Sequence, residues 1–159
     1  MFEELEDALN QLRRVYAQSK PAARLAAIRL RLASGKEDSG PTRLITTVSA
    51  VEALARSLVV HAPGRPASTA HFRYQQVRQQ TALQLVEEAL RLYGAKPAAE
   101  HFGEETCRCF DLAYQYRDLV VHECTYPGHD KSQQLIAACE RVLEGLVSAA
   151  GLLRVVTPP

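Results

Sequence analysis

The chain has 159 residues and a formal net charge of +1, from 19 basic and 18 acidic side chains. This length suits one domain with a sizeable core. Because the charges nearly balance, the protein lacks the strong electrostatic field that draws highly basic proteins to nucleic acid or membranes. No apolar run approaches the roughly 20 residues of a membrane-spanning helix. The acidic, amphipathic start is unlike a secretory signal, so we expect a soluble, cytoplasmic protein.

The cysteine content argues against a disulfide framework or a metal site. The sequence contains four cysteines: Cys107, Cys109, Cys124 and Cys139. Four are too few to build a disulfide scaffold in a chain of this length. The nearest approach to a ligand set is His122, Cys124 and His129, which lacks a fourth ligand and a second paired motif. We therefore predict no metal and no cofactor.

The first half of the chain is predicted as three helices, because apolar residues recur every three or four positions. The predicted ranges are about 2–18, 21–33 and 42–60. The second helix carries Arg24, Arg29 and Arg31. These arginines form either an ordinary solvated face or a stripe that contacts phosphate. In the third helix, Glu52 and Arg56 are four residues apart and predict a surface pair worth about 0.2–0.5 kcal/mol.

The second half is also helical by pattern. An amphipathic segment is predicted over about 69–93, ended by Gly94 and Pro97. Its polar, aromatic first half is either an exposed binding face or a helix that projects beyond the core. A short turn at 97–101 precedes a helix over about 104–121. The residues of that helix expected to face inward are Cys107, Phe110, Tyr114 and Val121.

The last helix is predicted to begin at Asp130, because Gln133 three residues later completes a capping box. Its apolar seam is expected to consist of Leu135, Cys139, Val142, Leu146 and Leu153. No strand pattern occurs. We therefore predict an all-α protein, an up-and-down bundle of five or six helices, in a single domain over 1–159 with its core at about 44–153.

The most informative residue is Arg117, which occupies a position on an apolar stripe. A buried guanidinium needs a partner, and Glu52 and Glu123 are the carboxylates considered. His122 follows five residues later and titrates near neutral pH. It is suited either to proton transfer or to capping the end of its helix, where a cationic imidazole is favoured.

The stretch YRDLVVHE, Tyr116 to Glu123, resembles the signature of the HEPN superfamily, in which four to six residues separate an Arg from a His. Asp118 occupies the place where that family often has a polar residue, and SAVEALARSL, residues 49–58, is similar to an early bundle helix of such domains. The resemblance implies a helical bundle that commonly dimerises. Many members are metal-independent ribonucleases of toxin, antiphage or RNA-processing systems, and others are inactive binding modules.

A second pair, Arg56 and His61, lies in the similar string RSLVVH. The pair at Arg117 is preferred for its context, which includes a preceding aromatic residue and a following acidic one. The Arg56–His61 alternative stays open.

The chemistry implied by the resemblance is attack of the RNA 2′-hydroxyl on the adjacent phosphate. His122 can move the proton and Arg117 can hold the phosphate oxygens. Residues five apart lie about 140° apart around a helix, so the two converge only if the helix ends or distorts at Val121. A homodimer supplies a second imidazole.

The candidate site therefore has a catalytic and a substrate-facing part. The candidate catalytic residues are Arg117, His122 and Asp118; Tyr126, Glu123 and Glu52 are placed around the substrate. Two functions follow. The first is a homodimeric endoribonuclease acting on RNA. The second is a catalytically inactive helical module that binds a nucleotide or a partner protein such as an antitoxin.

Overall fold

The computed structural model describes residues 1–35 and 40–152. In these ranges the chain forms eight α-helices, one short 3-10 turn and no strand. The helices are α1 (Phe2–Gln18), α2 (Pro21–Ser34), α3 (Pro41–Val60), α4 (Ala70–Val77), α5 (Ala82–Leu92), α6 (Ala98–Phe102), α7 (Glu104–Glu123) and α8 (His129–Ala149). The all-helical prediction is confirmed, and the predicted number of five or six helices is too low.

The number differs partly because the segment predicted as one helix over 69–93 is two helices. A 3-10 turn, Ala67–Thr69, leads into α4, and a turn separates α4 from α5. Thr81 begins α5 with a complete capping box: its hydroxyl accepts from the Gln84 amide at 3.2 Å, and the Gln84 side chain accepts from the Thr81 amide at 2.9 Å. The T-x-x-Q signal was present in the sequence, but the continuous amphipathic pattern masked it.

Helix α3 is the centre of the bundle and packs against α2, α5, α7 and α8. Its predicted apolar stripe is confirmed, since Leu44, Val48, Val51, Ala55 and Leu58 are all buried. The predicted seam of α8 is confirmed at Leu135, Cys139, Val142 and Leu146, and Leu153 lies outside the described residues. Periodic apolar faces of two long helices thus meet in one core.

Helix α7 continues to Glu123, two residues beyond the predicted end, so the condition for Arg117 and His122 to converge, an end or distortion at Val121, is not met. Phe110 is fully buried, whereas Cys107 and Tyr114 are half-buried. Val121 was expected to face inward and is 49% exposed. The neighbouring Val120 is the buried residue instead, because successive residues of a helix point about 100° apart.

Helix α8 begins one residue before the predicted start and without the predicted capping box. Gly128 is its N-terminal cap, and no side chain bonds to the first turn. Gly128 has a φ of +98°, a conformation that glycine adopts readily, and this turn places Asp130 inside the helix. The Gln133 amide donates to His129 Nε2 at 2.8 Å instead. Within the described ranges, no helix is both long and apolar enough to cross a lipid bilayer.

Candidate functional site

Arg117 joins α7 to α3 through an ion pair. Its Nη2 lies 2.5 Å from Glu52 Oε1, and each side chain is 14% exposed. Its Nη1 donates to Ser49 Oγ at 3.3 Å, and its Nε donates to Asp118 Oδ1 at 3.0 Å. All three guanidinium nitrogens therefore have partners, and two of these partners are carboxylates.

Tyr114 covers the same guanidinium. Arg117 Cζ lies 5.1 Å from the centre of the Tyr114 ring, within the range of a cation–π contact. Burial raises the pKa of Tyr114, and the charges of Asp118 and Glu52 raise it further. The phenol is thus a neutral wall of the cluster at physiological pH.

Glu52 lies between two arginines. Its Oε2 is 3.5 Å from Arg56 Nη2, and the two side chains are only 14% and 22% exposed, so the predicted surface pair is partly buried. Arg56 also lies over the Tyr74 ring, at 5.9 Å. The Arg56 Nε atom is buried and has no hydrogen-bond partner among the described residues. A buried donor of this kind is costly unless a ligand or water accepts from it.

His122 lies away from this cluster, on the outer side of α7. The helix is continuous from Arg117 to His122, and a separation of five residues rotates the side chain by about 140°. His122 is exposed, as is Leu119 one turn before it. It forms no hydrogen bond or ion pair in the described part of the chain. One copy of the protein therefore does not bring the predicted Arg–His pair together.

The remaining predicted residues are also apart from Arg117. Glu123 is the exposed last residue of α7. Tyr126 is half-buried beside Gly40. A Cβ atom added to Gly40 would lie 3.8 Å from the Tyr126 ring. Within the described residues, neither side chain bonds to Arg117 or His122. Of the six predicted site residues, the structure brings together Arg117, Asp118 and Glu52.

The alternative pair, Arg56 and His61, is separated in a different way. His61 Nε2 donates to the Ala17 backbone carbonyl at 2.9 Å, because a carbonyl oxygen only accepts. Ser57 Oγ donates to the Ser19 carbonyl at 3.1 Å. These two bonds attach the end of α1 to α3, so His61 has a structural role.

Arg24 of α2 is not one of the six predicted site residues, but it lies near Arg56. Its Cζ lies 4.5 Å from the centre of the Tyr16 ring, and it has no carboxylate within ion-pair distance in the described residues. Burial lowers the pKa of Arg24, and the nearby charge of Arg56 also lowers it. Arg29, from the same predicted stripe, instead pairs with Glu144 at 3.5 Å. Apolar periodicity could not separate these two arginines, because their different surroundings come from other helices.

Arg24 and Arg56 both line a small cavity where α1, α2, α3 and α4 meet. The cavity has a volume of about 60 Å³, and its aromatic lining residues are Tyr16 and Tyr74. A groove of about 450 Å³ between α2 and α3 shares Tyr16 and Arg24 with it. The cavity and the groove thus share the cationic Arg24, and the otherwise mostly apolar groove also includes Arg31 in its lining.

A larger groove, of about 660 Å³, lies beside α5. Its charged lining is mostly acidic, with Glu87, Glu88 and Asp111, and its Arg91 is held by Glu88 at 2.5 Å. It therefore offers no unpaired cation to an anionic ligand. No group of three His, Cys, Asp or Glu side chains in the described ranges is arranged to hold a metal ion.

Comparisons of the chain with protein-family models, with curated proteins and with solved structures found no significant match. The resemblance to the HEPN superfamily therefore stays a prediction that rests on the residues around Arg117 and on 49–58.

Proposed function

We propose that this chain is a HEPN-like helical module that binds a small phosphorylated ligand of the nucleotide class and does not cleave RNA. The observation that carries the proposal is an imbalance of buried charge. Arg56 and Arg117 share Glu52, and Arg117 also contacts Asp118. Arg24 lies near Arg56 and has no carboxylate partner among the described residues. A phosphate group between Arg24 and Arg56 supplies the missing negative charge.

The donors at the cavity suit a phosphate. Arg56 lines the cavity, and its buried Nε has no hydrogen-bond partner among the described residues. A guanidinium can hold two phosphate oxygens at once. Burial strengthens such contacts, because the charges are poorly screened away from water. The two like charges at Arg24 and Arg56 repel each other until an anion lies between them.

The adjoining groove suits the rest of the ligand. It is lined by apolar side chains, chiefly Ile28, Leu32, Ile45, Ala50 and Ala53. Thr46 and Ser49 add hydroxyls to the same lining. A groove that is apolar with a few polar groups is typical of small-molecule sites.

Arg117 contributes to this site by positioning other groups. It holds Glu52, which in turn faces Arg56, and it donates to Ser49, whose side chain lines the groove. The HEPN-like motif is thus assigned a structural role in this proposal. Catalysis would require Arg117 to exchange Glu52 for a phosphate.

Titration calorimetry with AMP tests the proposal. We expect wild type to bind AMP, and Arg24→Gln and Arg56→Gln to bind it at least about tenfold more weakly, since a hydrogen bond to a charged group is worth about 1.5–3 kcal/mol. Inorganic phosphate, which leaves the groove empty, should bind more weakly than AMP. Arg108→Gln, an exposed arginine of α7, is the matched control. Equal AMP affinity in all four proteins, or none in wild type, contradicts the proposal.

The endoribonuclease is the second candidate, favoured by one observation. His122 is exposed, without a partner in the described residues, and lies one turn from the exposed Leu119. A second copy or an antitoxin-like protein that covers this face is a prediction from the resemblance. Cleavage of an RNA pool in EDTA, lost in both His122→Ala and Arg117→Ala with helicity intact, would establish this candidate. No cleavage by wild type leaves the binding module.

A further inference from the structure

Helix α1 carries an uncovered apolar face. Its apolar residues Phe2, Leu5, Leu9, Leu12 and Tyr16 are spaced alternately three and four positions apart. All are exposed, Phe2 at 76% and Leu5 at 63%. Every residue over 1–10 is exposed as well. Large apolar patches of this kind on a protein surface mark interaction sites.

Helix α1 is attached to the bundle near its C-terminal end and also packs against α4. Ala17 is its one buried residue, and the bonds from His61 and Ser57 reach the carbonyls of Ala17 and Ser19. Most helical stability in proteins comes from packing of an apolar face. The rest of α1 therefore needs a partner that covers its seam.

The spacing of the seam specifies a helical partner. Alternate steps of three and four residues are the heptad pattern by which two helices supercoil. The pattern stops at the loop before α2, so it describes α1 alone and not the chain. About two heptads are present between Phe2 and Tyr16.

The charges of α1 select a second copy in antiparallel orientation. The acidic residues lie in the first half, at Glu3, Glu4, Glu6 and Asp7, and the basic residues in the second, at Arg13 and Arg14. A parallel copy aligns like charges along the whole seam. An antiparallel copy aligns the acidic half of each helix with the basic half of the other.

One register satisfies both the seam and the charges. When Leu9 packs against Leu12 of the second copy, Leu5 packs against Tyr16 of the second copy. Glu6 and Arg13, which flank the seam on the same side, then face each other across the interface twice. Flanking charges of this kind set partner choice and orientation in coiled coils.

We propose that α1 pairs antiparallel with α1 of a second copy and that this contact makes the protein a homodimer. The seam shares Tyr16 with the ligand site, because Arg24 lies over the Tyr16 ring. Phosphate binding between Arg24 and Arg56 nevertheless does not require a second copy. The proposed contact also differs from a dimer through the outer face of α7.

Charge reversal with restoration tests the pairing by light scattering and sedimentation over a range of concentrations. Wild type is expected to be a dimer. Glu6→Arg alone and Arg13→Glu alone each create two repulsive contacts, so each should dissociate with a constant at least tenfold higher. An equimolar mixture of the two variants should form a heterodimer, and the variant with both substitutions should dimerise again.

Leu30→Ser is the matched control, because Leu30 on α2 is exposed at 72% but lies outside the seam; its dissociation constant should equal that of wild type. A monomeric wild type overturns the inference. So does a dimer that both single reversals leave unchanged, since its contact lies elsewhere. If the Glu6→Arg and Arg13→Glu variants are each monomeric and their mixture forms no heterodimer, the antiparallel register is overturned.

Discussion

Arg117 and His122 lie on different sides of one uninterrupted helix, about 140° apart around its axis. Arg117 faces α3 and is held by Glu52, whereas His122 faces outward. A separation in sequence that matches a catalytic motif thus corresponds here to two separate environments. The two residues should therefore respond very differently to substitution.

Arg117→Met should destabilise the fold by about 3 kcal/mol, because it leaves the partly buried Glu52 with only the longer contact to Arg56. His122→Ala should change the free energy of unfolding by less than about 0.5 kcal/mol, as exposed residues usually do. Urea unfolding of both variants measures the difference. Arg29→Met, which breaks a more exposed pair with Glu144, should lose under about 1 kcal/mol. Equal losses for Arg117→Met and Arg29→Met would show that the Arg117 pair is not a structural element.

Gly145→Ala should destabilise α8 against α6, although alanine favours a helix by about 1 kcal/mol. A Cβ atom at Gly145 would overlap the Phe102 ring, so the ring must move, and overpacking costs about 1–3 kcal/mol. In a Phe102→Ala background the same substitution should become stabilising. A double-mutant cycle by thermal unfolding measures the coupling between the substitutions at Gly145 and Phe102. If their effects on stability are additive, the predicted contact is contradicted.

Cys139 should be the least reactive thiol and Cys124 the most reactive. Cys124 is exposed, whereas burial raises the pKa of Cys139 to about 12. Only the thiolate is nucleophilic. At pH 8, a thiol reagent should label Cys124 in the native protein and Cys139 only after unfolding. If the reagent labels Cys139 in a native Cys124→Ser variant, the prediction that Cys139 is buried is contradicted.

The same thiol predicts a dependence of stability on pH. In the unfolded chain the thiol ionises near its ordinary pKa of 9.0, whereas folded Cys139 keeps its proton to about pH 12. The stabilising effect of the neutral thiol is therefore complete below pH 9 and is lost between about pH 9 and 12, at up to about 1.4 kcal/mol per pH unit. The difference in unfolding free energy between wild type and Cys139→Ala should narrow over this range. A constant difference would contradict the prediction.

His61→Ala should loosen α1 while the core stays intact. The variant loses the bond to the Ala17 carbonyl, which is worth about 1 kcal/mol. Hydrogen exchange should accelerate at the amides of α1 and remain slow in α3. Thr46→Ala, which removes a local bond within α3 to the Thr42 carbonyl, should leave α1 unchanged. Equal acceleration in α1 and α3 would mean that the helix is not a separate unit.

Much of the fold was predictable because it depends on local patterns. The apolar residues of α3, from Leu44 to Leu58, are predicted and found to be buried, since helical periodicity alone places them on one face. The ends of α1 and α2 are predictable for the same reason, as Pro21 and the following loop interrupt the pattern. The division at Thr81 was also encoded locally, in a capping box.

The sequence by itself determined that the chain is helical and that Arg117 needs a partner. Only the tertiary structure decided that this partner is Glu52, which lies 65 positions earlier in the chain. It also decided that Arg24 lies near Arg56 and that the seam of α1 is uncovered. Local periodicity assigns a residue to a face of its own helix. Which helix that face meets, and with what charge, depends on how all the helices pack, because long-range contacts leave no period in the sequence.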